Sequence, residues 1–478
     1  MRPRDRLRLV AAGVVPRPYP LTAWEPSLLV VSLTVSAPPA VPTRAAHYVV
    51  VRRRAGANYR CETANLQPFR GILCVRGCGR GRPAASLGLC GVAPLNSLFW
   101  TWGTRGGPRA AIEREREAIT ARATKVAVRP LDNADLERGT DKLRTLIYPD
   151  HPEAYEIDWH ASVWRWLGTH PLADEMHRWV LATGEGEVVG HLAAVPLYYR
   201  VGGERVVAHT PADYQVLPGN GFHALSLMRR FFRTAENCVS VDQVQEAMAI
   251  ETRLGAKEAG RLQYAAKILD VSELPRVPRL LRPALRPPTW GLRAVDGALG
   301  SVFGEGHRVE VLDGFDPSFD ELFESVASSV PCVVEKDAAF LRWRYGPDSP
   351  QYPVTVLGVR EGETLLGYAV LRVIREGDNG YLLDLTTRPY RDDVARSLLR
   401  EAIRHLARAG VYIIRYRFME SPTSPRTKDL WRLGFFPRNS RRHTLLVKFA
   451  DHGLHKTALD GANWSYSAGD GEMTFWVR

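Results

Sequence analysis

The sequence has no run of about 18 or more apolar residues, the length that a membrane-crossing helix needs, so no membrane span is expected. Cysteine is also scarce, with 6 in 478 residues. Cys74 and Cys78 form a C-x3-C pair, but Cys61 and Cys90 stand far from it, whereas a zinc site usually has two close pairs. We therefore expect no metal. The two other cysteines are isolated, which is typical of thiols in a reducing cytoplasm, so we predict a cytoplasmic protein.

Lysine is missing from the first quarter of the chain, and this decides what the net charge of +12 means. Residues 1–117 contain 18 arginines, no lysine and 6 acidic residues, which is the whole excess. Residues 118–478 contain 46 basic and 46 acidic residues and are therefore neutral. A basic chain suggests nucleic-acid binding only where the charge lies on the folded part. No nucleic-acid partner is expected.

Residues 1–120 also lack sustained helical or strand periodicity and are rich in proline, glycine, alanine and arginine. We predict that they form a disordered or mis-annotated extension. The remainder has an ordinary globular composition, since the whole chain is 45% hydrophobic and 24% charged.

A repeated sequence pattern divides the neutral body into two copies. Trp164-Arg165-Trp166 corresponds to Trp343-Arg344-Tyr345 at an offset of 179 residues, and Arg253-Leu254-Gly255 corresponds to Arg432-Leu433-Gly434 at the same offset. Matches that keep their order and spacing indicate an internal duplication. We predict domains at 125–270 and 306–478, with a proline- and arginine-rich linker at 271–305.

Each copy has the same predicted order of elements. Strands joined by a glycine-containing hairpin turn lead to an amphipathic helix, at about 222–234 in the first copy and 393–409 in the second. A further strand and a short helix ending in Leu-Gly follow. An apolar hairpin, at 262–269 and at 443–449, is expected to close each copy on itself.

This order, with Val216-Leu217-Pro218-Gly219-Asn220-Gly221 before the helix and Leu254-Gly255 after it, resembles that of the GNAT acyltransferases. The resemblance covers about 125–270 and 330–450. It implies an α/β (α+β) fold of two tandem GNAT-like domains with mixed central sheets, behind the disordered extension. The arrangement is broadly similar to FemAB-like and polysaccharide-cluster acyltransferases.

The resemblance implies an acyl-CoA co-substrate, with acetyl-CoA expected, and a turn that holds its pyrophosphate. Backbone N–H groups at a helix N-terminus bind anions, and glycine allows close approach. The corresponding residues of the first copy are Val216, Leu217, Gly219, Asn220, Gly221, Phe222 and Ala224. The second copy has Arg391-Asp392-Asp393 there, and its two carboxylates would repel phosphate. We expect the first copy to bind CoA.

The expected reaction is direct attack of a small amine or an amino sugar on the thioester, assisted by a base and by backbone N–H groups. Asp213 lies where members of this family commonly place an acid, and His209 falls on the same strand face by period-two counting. Glu251 takes the position where many GNAT proteins have a tyrosine acid, and is a candidate proton relay. The acidic, aromatic segment 463–472 is a candidate lining of the acceptor pocket.

Two other functions stay open. An aminoacyl-tRNA-dependent transferase of the FemAB kind would need a basic groove for tRNA, which the neutral body disfavours. A non-catalytic tandem GNAT scaffold is favoured by the missing tyrosine and the short phosphate turn.

Overall fold

The computed structural model describes three strands between residues 28 and 62, then residues 125–147, 157–242, 244–274, 277–285, 306–374, 379–438, 443–472 and 475, and a few single positions. The chain divides into two compact units, residues 1–107 and 108–478.

In the first unit, three strands form an antiparallel sheet in the order β1–β2–β3. They are β1 (Leu28–Leu33), β2 (His47–Arg53) and β3 (Tyr59–Glu62). Most of residues 1–120 lie outside the described part, so a disordered or mis-annotated extension stays a prediction.

The second unit contains the duplicated body. We call residues 125–274 the first half and residues 306–475 the second half. The strands of the first half are β4 (Val126–Pro130), β5 (His177–Thr183), β6 (Val188–Val201), β7 (Glu204–Val216), β8 (Cys238–Asp242), β9 (Lys257–Arg261) and β10 (Gln263–Ile268). Its helices are α1 (Asn133–Arg138), α2 (Thr140–Ile147), α3 (Ile157–Leu167), α4 (Gly221–Thr234) and α5 (Gln245–Arg253).

The second half follows this order from its third strand, and it also has β12 between its first two helices and α10 and β19 at its end. Its strands are β11 (Val309–Leu312), β12 (Cys332–Val334), β13 (Thr355–Glu361), β14 (Thr364–Ile374), β15 (Asn379–Thr387), β16 (Ile413–Phe418), β17 (Phe436–Pro437), β18 (Thr444–Lys448) and β19 (Trp464–Ser465). Its helices are α6 (Ser318–Ala327), α7 (Ala338–Tyr345), α8 (Asp392–Arg408), α9 (Thr427–Arg432) and α10 (His452–Ala458). Of the predicted linker 271–305, the structure describes 271–274, 277–285 and Gly291.

The two predicted amphipathic helices, α4 and α8, each bury one face. In α4 the buried side chains are Leu227, Met228 and Phe231. In α8 they include Val394, Leu398 and Leu406, at the spacing that aligns apolar residues on one side of a helix. Each helix packs on the sheet of its own half, as the cores show.

The two sheets exchange strands. The first sheet has the order β4–β5–β6–β7–β8–β18–β9, with β12 and β19 continuing along the edge of β6 beyond β5. The second sheet has the order β11–β13–β14–β15–β16–β10–β17. Strand β18 of the second half therefore lies inside the first sheet, and β10 of the first half lies inside the second.

The prediction that an apolar hairpin closes each copy on itself is wrong. β10 runs antiparallel to β16, with Gln263 opposite Phe418, and β18 runs antiparallel to β8, with Leu445 opposite Val241. An apolar strand can pair with any sheet that buries its side chains, and here that sheet belongs to the other half.

The repeated tryptophan motifs lie on α3 and α7 and meet between the halves. The Trp166 and Trp343 rings stack with centroids 4.5 Å apart and an interplanar angle of 12°. Each indole N–H donates to the other residue's backbone carbonyl oxygen, at 2.9 and 3.4 Å. The motif is thus a packing contact that joins the two copies.

Among the described residues, no helix is long and apolar enough to cross a membrane.

Candidate functional site

The first cleft opens where two neighbouring parallel strands of the first sheet separate. Along their described length, β7 and β8 share a single registered pair, His209 with Cys238. The next β7 residue that faces β8, Pro211, has no N–H with which to continue the pairing. The Thr210 hydroxyl still donates to the Val239 carbonyl oxygen at 2.7 Å. Beyond this contact, residues 211–216 and 240–242 form two walls, and we call the space between them the first cleft.

A β-bulge lies in the β7 wall of the first cleft. The register between β6 and β7 passes from Ala193 opposite Ala212 to His191 opposite Gln215, so β7 carries one extra residue. Asp213 occupies the bulge with φ 53°, a left-handed conformation that costs a non-glycine residue about 1–3 kcal/mol. Strain of this kind is maintained by the contacts around it.

The Asp213 carboxylate supplies several of those contacts. Its oxygens lie 3.0 Å from His160 Nε2, 3.1 Å from His191 Nδ1 and 3.5 Å from Arg144 Nη1. The Gln215 amide also donates to it. Burial alone would raise the pKa of Asp213, but the charge and hydrogen bonds of His160 and His191 hold this pKa well below its usual range. The carboxylate is ionised and enclosed, which suits it to fixing two imidazole rings.

His209 has different neighbours. Its Nε2 lies 3.2 Å from the Glu175 carbonyl oxygen, and its ring faces that of His177 with centroids 6.4 Å apart. Burial lowers the pKa of His209, so the ring is neutral near pH 7. Period-two counting placed His209 and Asp213 on one strand face, but the contacts of the two side chains share no residue.

Glu251 is buried on α5 behind β8. The Ser240 hydroxyl donates to Glu251 Oε1 at 3.3 Å. Burial, and then the Glu251 charge, raise the pKa of the Cys238 thiol well above its ordinary value, so this thiol stays protonated. Glu251 therefore contacts the β8 wall of the first cleft from the helix side.

The predicted phosphate turn connects β7 to α4. The Leu217 N–H donates to the Val189 carbonyl oxygen at 2.8 Å, which fixes the start of the turn. Gly219 has φ 96°, a conformation that glycine adopts without strain. Asn220 precedes the helix and is only 3% exposed, and its Nδ2 has no partner within the described part. A buried amide donor therefore stands beside the helix N-terminus.

Helix α4 begins in open space. An added Cβ at Gly221 would meet no atom within 4 Å, and Phe222 is 90% exposed. Ala224, in the same turn, is half-buried. The first N–H groups of a helix have no intrahelical partner and carry partial positive charge. This turn is therefore accessible to an anionic ligand.

The corresponding turn of the second half is filled by its own charges. Asp393 Oδ2 lies 2.8 Å from Arg391 Nη2 and 2.6 Å from His307 Nε2. Hydrogen bonding to Arg391 holds the pKa of Asp393 well below its usual range. Asp392, the first residue of α8, lies 3.3 Å from Arg426. A carboxylate thus already occupies the position that phosphate would take.

We call the space between β15 and β16 of the second half the second cleft, and another segment of the chain fills it. β15 and β16 pair from Asn379 to Leu382 and then separate. The C-terminal segment, residues 464–472 with Phe475, enters here: Ser467 bridges to Phe418, and the Met419 N–H donates to the Tyr466 carbonyl oxygen at 2.7 Å. An added Cβ at Gly469 would lie 2.9 Å from the Leu383 carbonyl oxygen, so only glycine fits there. Within the described residues, this segment thus occupies the space between β15 and β16.

A buried ion cluster holds the C-terminal segment in this position through Asp470. Lys336 Nζ lies 3.2 Å from Asp384 Oδ1 and 3.3 Å from Asp470 Oδ1. Lys336 also donates to the Thr386 hydroxyl at 3.2 Å, and the Tyr368 hydroxyl donates to Asp384 at 2.7 Å. Burial and the nearby Asp384 charge raise the pKa of Asp470 to about 6. One ammonium therefore serves two buried carboxylates.

Within the described ranges, no group of three or more His, Cys, Asp and Glu side chains is arranged to hold a metal ion.

In each half two neighbouring parallel strands separate, β7 from β8 and β15 from β16, and a turn leads from the first strand of each pair into a helix. With the strand order, these features define two tandem GNAT-like domains in a mixed α/β fold, as predicted. In fold the chain is similar to three solved structures, among others. One is a tandem GNAT protein from the clavulanic acid biosynthesis pathway, at 14% identity over 68% of this chain and 99% of that one, with a TM-score of 0.41.

The second is a GCN5-related N-acetyltransferase from Anabaena variabilis, at 13% identity over 68% of this chain and 73% of that one, with a TM-score of 0.45. The third is the N-myristoyltransferase of Saccharomyces cerevisiae with bound myristoyl-CoA, at 11% identity over 70% of this chain and 81% of that one, also with a TM-score of 0.45. No protein-family model and no curated protein matches the sequence.

Sequence reasoning missed several residues of this site. His160 and His191 lie on α3 and β6, 53 and 22 positions from Asp213, and nothing local links them to it. The segment that contains Glu472 was suggested as part of the acceptor pocket, but its place in the second cleft and its contact with the first were not foreseen. Among local signals, Pro211 within the strand that carries His209 and Asp213 could have indicated the interrupted pairing.

Proposed function

We propose that the first half binds an acyl-CoA, with acetyl-CoA the expected donor, and transfers the acyl group to the nitrogen of a small amine or an amino sugar in the cytoplasm. The observation that carries this proposal is the first cleft. It contains the bulged Asp213 N–H, and β7 leads from there through residues 217–220 to the glycine-containing N-terminus of α4. The second half, whose cleft and turn are filled by its own chain, is structural.

The turn supplies the binding energy in this proposal. Free N–H groups at the start of α4 and the Asn220 amide bind the pyrophosphate, while residues 216–219 follow the pantetheine arm. Glycine at 219 and 221 leaves room for that approach. Holding the thioester and the amine in one cleft supplies much of the rate enhancement.

The chemistry needs one oxyanion donor and one route for a proton. The amine nitrogen attacks the thioester carbon, the carbonyl oxygen accepts the Asp213 N–H as negative charge develops, and the C–S bond breaks to give an amide and a thiolate. The proton lost by the nitrogen goes to the thiolate, directly or through a side chain. Asp213 thus acts through its backbone, while its carboxylate holds the bulge.

His209 is our proposed proton acceptor. Its Nε2 contacts a carbonyl oxygen and so carries the hydrogen, which leaves a lone pair on Nδ1. This Nδ1 atom has no partner within the described part of the chain. Glu251 stays a proposed relay through Ser240.

The decisive experiment measures thermal stabilisation of the protein by acetyl-CoA and then thiol release with a panel of amines and amino sugars. A donor at about 100 times its Kd stabilises by about 2.7 kcal/mol, which raises Tm by several degrees. No shift at millimolar acetyl-CoA contradicts the proposal and leaves the non-catalytic scaffold. Stabilisation by aminoacyl-tRNA alone would favour the FemAB-like alternative.

The turn itself is tested by Gly221→Asp. We expect at least about a tenfold loss of acetyl-CoA affinity, because the new carboxylate stands beside the pyrophosphate. The fold should persist, since the added side chain points into open space and an acid is favourable in the first turn of a helix. Isothermal titration calorimetry measures the affinity.

Asp392→Gly is the matched control, since Asp392 is the first residue of α8 as Gly221 is of α4. This control should leave the affinity unchanged. If this control instead tightens binding, because it removes a carboxylate from beside the pyrophosphate, the donor site lies in the second half.

A further inference from the structure

The C-terminal segment crosses from the second cleft to the first, where it places the carboxylate of Glu472. Glu472 Oε1 accepts the Asp213 N–H at 3.2 Å, across 259 positions of the chain. The His209 N–H donates to Asn237 beside β8, so the N–H groups of alternate residues on this strand face the same side. Asp213 therefore offers the first backbone donor in the cleft after Pro211, and Glu472 takes it.

The backbone on both sides of Glu472 is fixed. Arg344 Nη2 donates to the Gly471 carbonyl oxygen at 2.7 Å, and Gln351 Nε2 donates to that of Phe475 at 3.2 Å. The buried Phe475 ring meets Trp166 edge-on, with centroids 5.5 Å apart. The segment is thus anchored on both sides of Glu472, and displacement of the half-buried Glu472 side chain would release the Asp213 N–H without moving this backbone.

A carboxylate and a thioester carbonyl compete unequally for one N–H. Hydrogen bonds to an ionised acceptor are shorter and about twice as strong as those to a neutral one. A ground-state thioester oxygen is neutral and must displace Glu472 to reach the donor. The oxyanion of the transition state is charged and competes on equal terms.

We propose that Glu472 is an internal ligand of the acyl-carbonyl subsite, which an incoming acyl donor displaces. This inference rests on the proposed function of the first cleft. The contact of Glu472 with the Asp213 N–H lowers the affinity of the ligand-free protein for acyl-CoA. It does not lower the affinity for CoA, because CoA has no acyl oxygen and leaves Glu472 in place. The subsite is accordingly selective for a donor that carries a carbonyl next to sulfur.

The test measures the Kd values of acetyl-CoA and of CoA for the wild type, Glu472→Ala and Glu472→Gln. Removing one charge-assisted hydrogen bond should tighten acetyl-CoA binding about tenfold in Glu472→Ala and by less in Glu472→Gln. CoA affinity should change by less than about twofold, which is within ordinary surface effects. Glu321→Ala, which removes an exposed carboxylate from α6, is the control and should change neither value.

A second measurement does not need the donor. Amide hydrogen exchange at Asp213 in the ligand-free protein should be faster in Glu472→Ala than in the wild type, because the bond that protects it is gone. Equal exchange in the two proteins would contradict the contact itself.

The outcomes separate the inference from the function on which it rests. If the wild type binds acetyl-CoA and Glu472→Ala binds it no tighter, the proposed function stands and the internal ligand is refuted. A Glu472→Ala protein with unchanged Kd values and a lost kcat also refutes it, since Glu472 would then act in proton transfer. If neither protein binds any CoA while exchange at Asp213 still differs, the proposed function fails, and displacement by an acyl donor fails with it.

Discussion

Neither half of the chain is expected to fold alone. Separate fragments 118–295 and 296–478 should show no cooperative thermal transition, whereas an equimolar mixture should recover one. The reason is the strand exchange, because β18 lies between β8 and β9 while β10 lies between β16 and β17. Each fragment would lack an internal strand of its own sheet and would expose one that belongs to the other.

The apolar side chains of β18 determine how much stability the fragment 118–295 loses. Leu445, Leu446 and Val447 are almost fully buried in the first sheet. At about 1.5–3 kcal/mol for each such side chain, their loss costs roughly 5–9 kcal/mol. That is comparable with the whole free energy of unfolding of an ordinary domain, about 5–15 kcal/mol.

Scanning calorimetry and near-ultraviolet circular dichroism measure the outcome. A useful control is the fragment 118–295 extended by a flexible linker and residues 443–450, which should regain part of the transition because the missing strand is returned. A cooperative transition in 118–295 alone, at the temperature of the full chain, would contradict the exchange.

The duplication could be predicted from the sequence because the matching motifs keep their spacing in the two copies. The tryptophan motifs and the Leu-Gly pairs fixed the order of elements, and the helices at 222–234 and 393–409 start and end within one residue of α4 and α8. Periodicity indicates which face of a strand is apolar, but not which sheet receives it. β10 and β18 have equivalent apolar patterns, so their exchange could not be predicted from either one.

One part of the candidate site, the turn before α4, could be predicted from the sequence. The turn from Val216 to Ala224 was located from its glycines, whose conformational freedom is a property of the residue type. The bulge at Asp213 was not, because it depends on His160, His191 and Glu472, which come from three other elements. A contact across 259 positions leaves no local trace in the sequence.

Loss of the Lys336 ammonium, which lies between two buried carboxylates of the second cleft, should be severe. Lys336→Met is expected to lower the free energy of unfolding by about 3–5 kcal/mol at pH 8, because it leaves two buried carboxylates, Asp384 and Asp470, without their ammonium partner. Burial would lower the pKa of Lys336, but the two carboxylates raise it above its ordinary value, so wild-type Lys336 is charged across the usual range.

The destabilisation should depend on pH. In the wild type, the pKa of Asp470 is about 6, above the value of about 3.9 for an unfolded aspartate. The folded state therefore binds the Asp470 proton more tightly than the unfolded state does. The stability that this protonation contributes is fully present below about pH 4 and is lost as the pH rises through 6. Without Lys336 the pKa of Asp470 should rise further, so a proton replaces part of the lost cation at pH 5.

Urea unfolding at pH 5 and pH 8 tests both statements. Lys336→Met should lose clearly less stability at pH 5 than at pH 8, and adding Asp470→Asn should recover part of the loss at pH 8 by removing one unpaired charge. Thr386→Val, which removes one neutral partner of the ammonium, should cost only about 1 kcal/mol at either pH. An equal loss at both pH values would mean that Asp470 does not take up the proton, and that the C-terminal segment is held by packing around Gly469 instead of by charge.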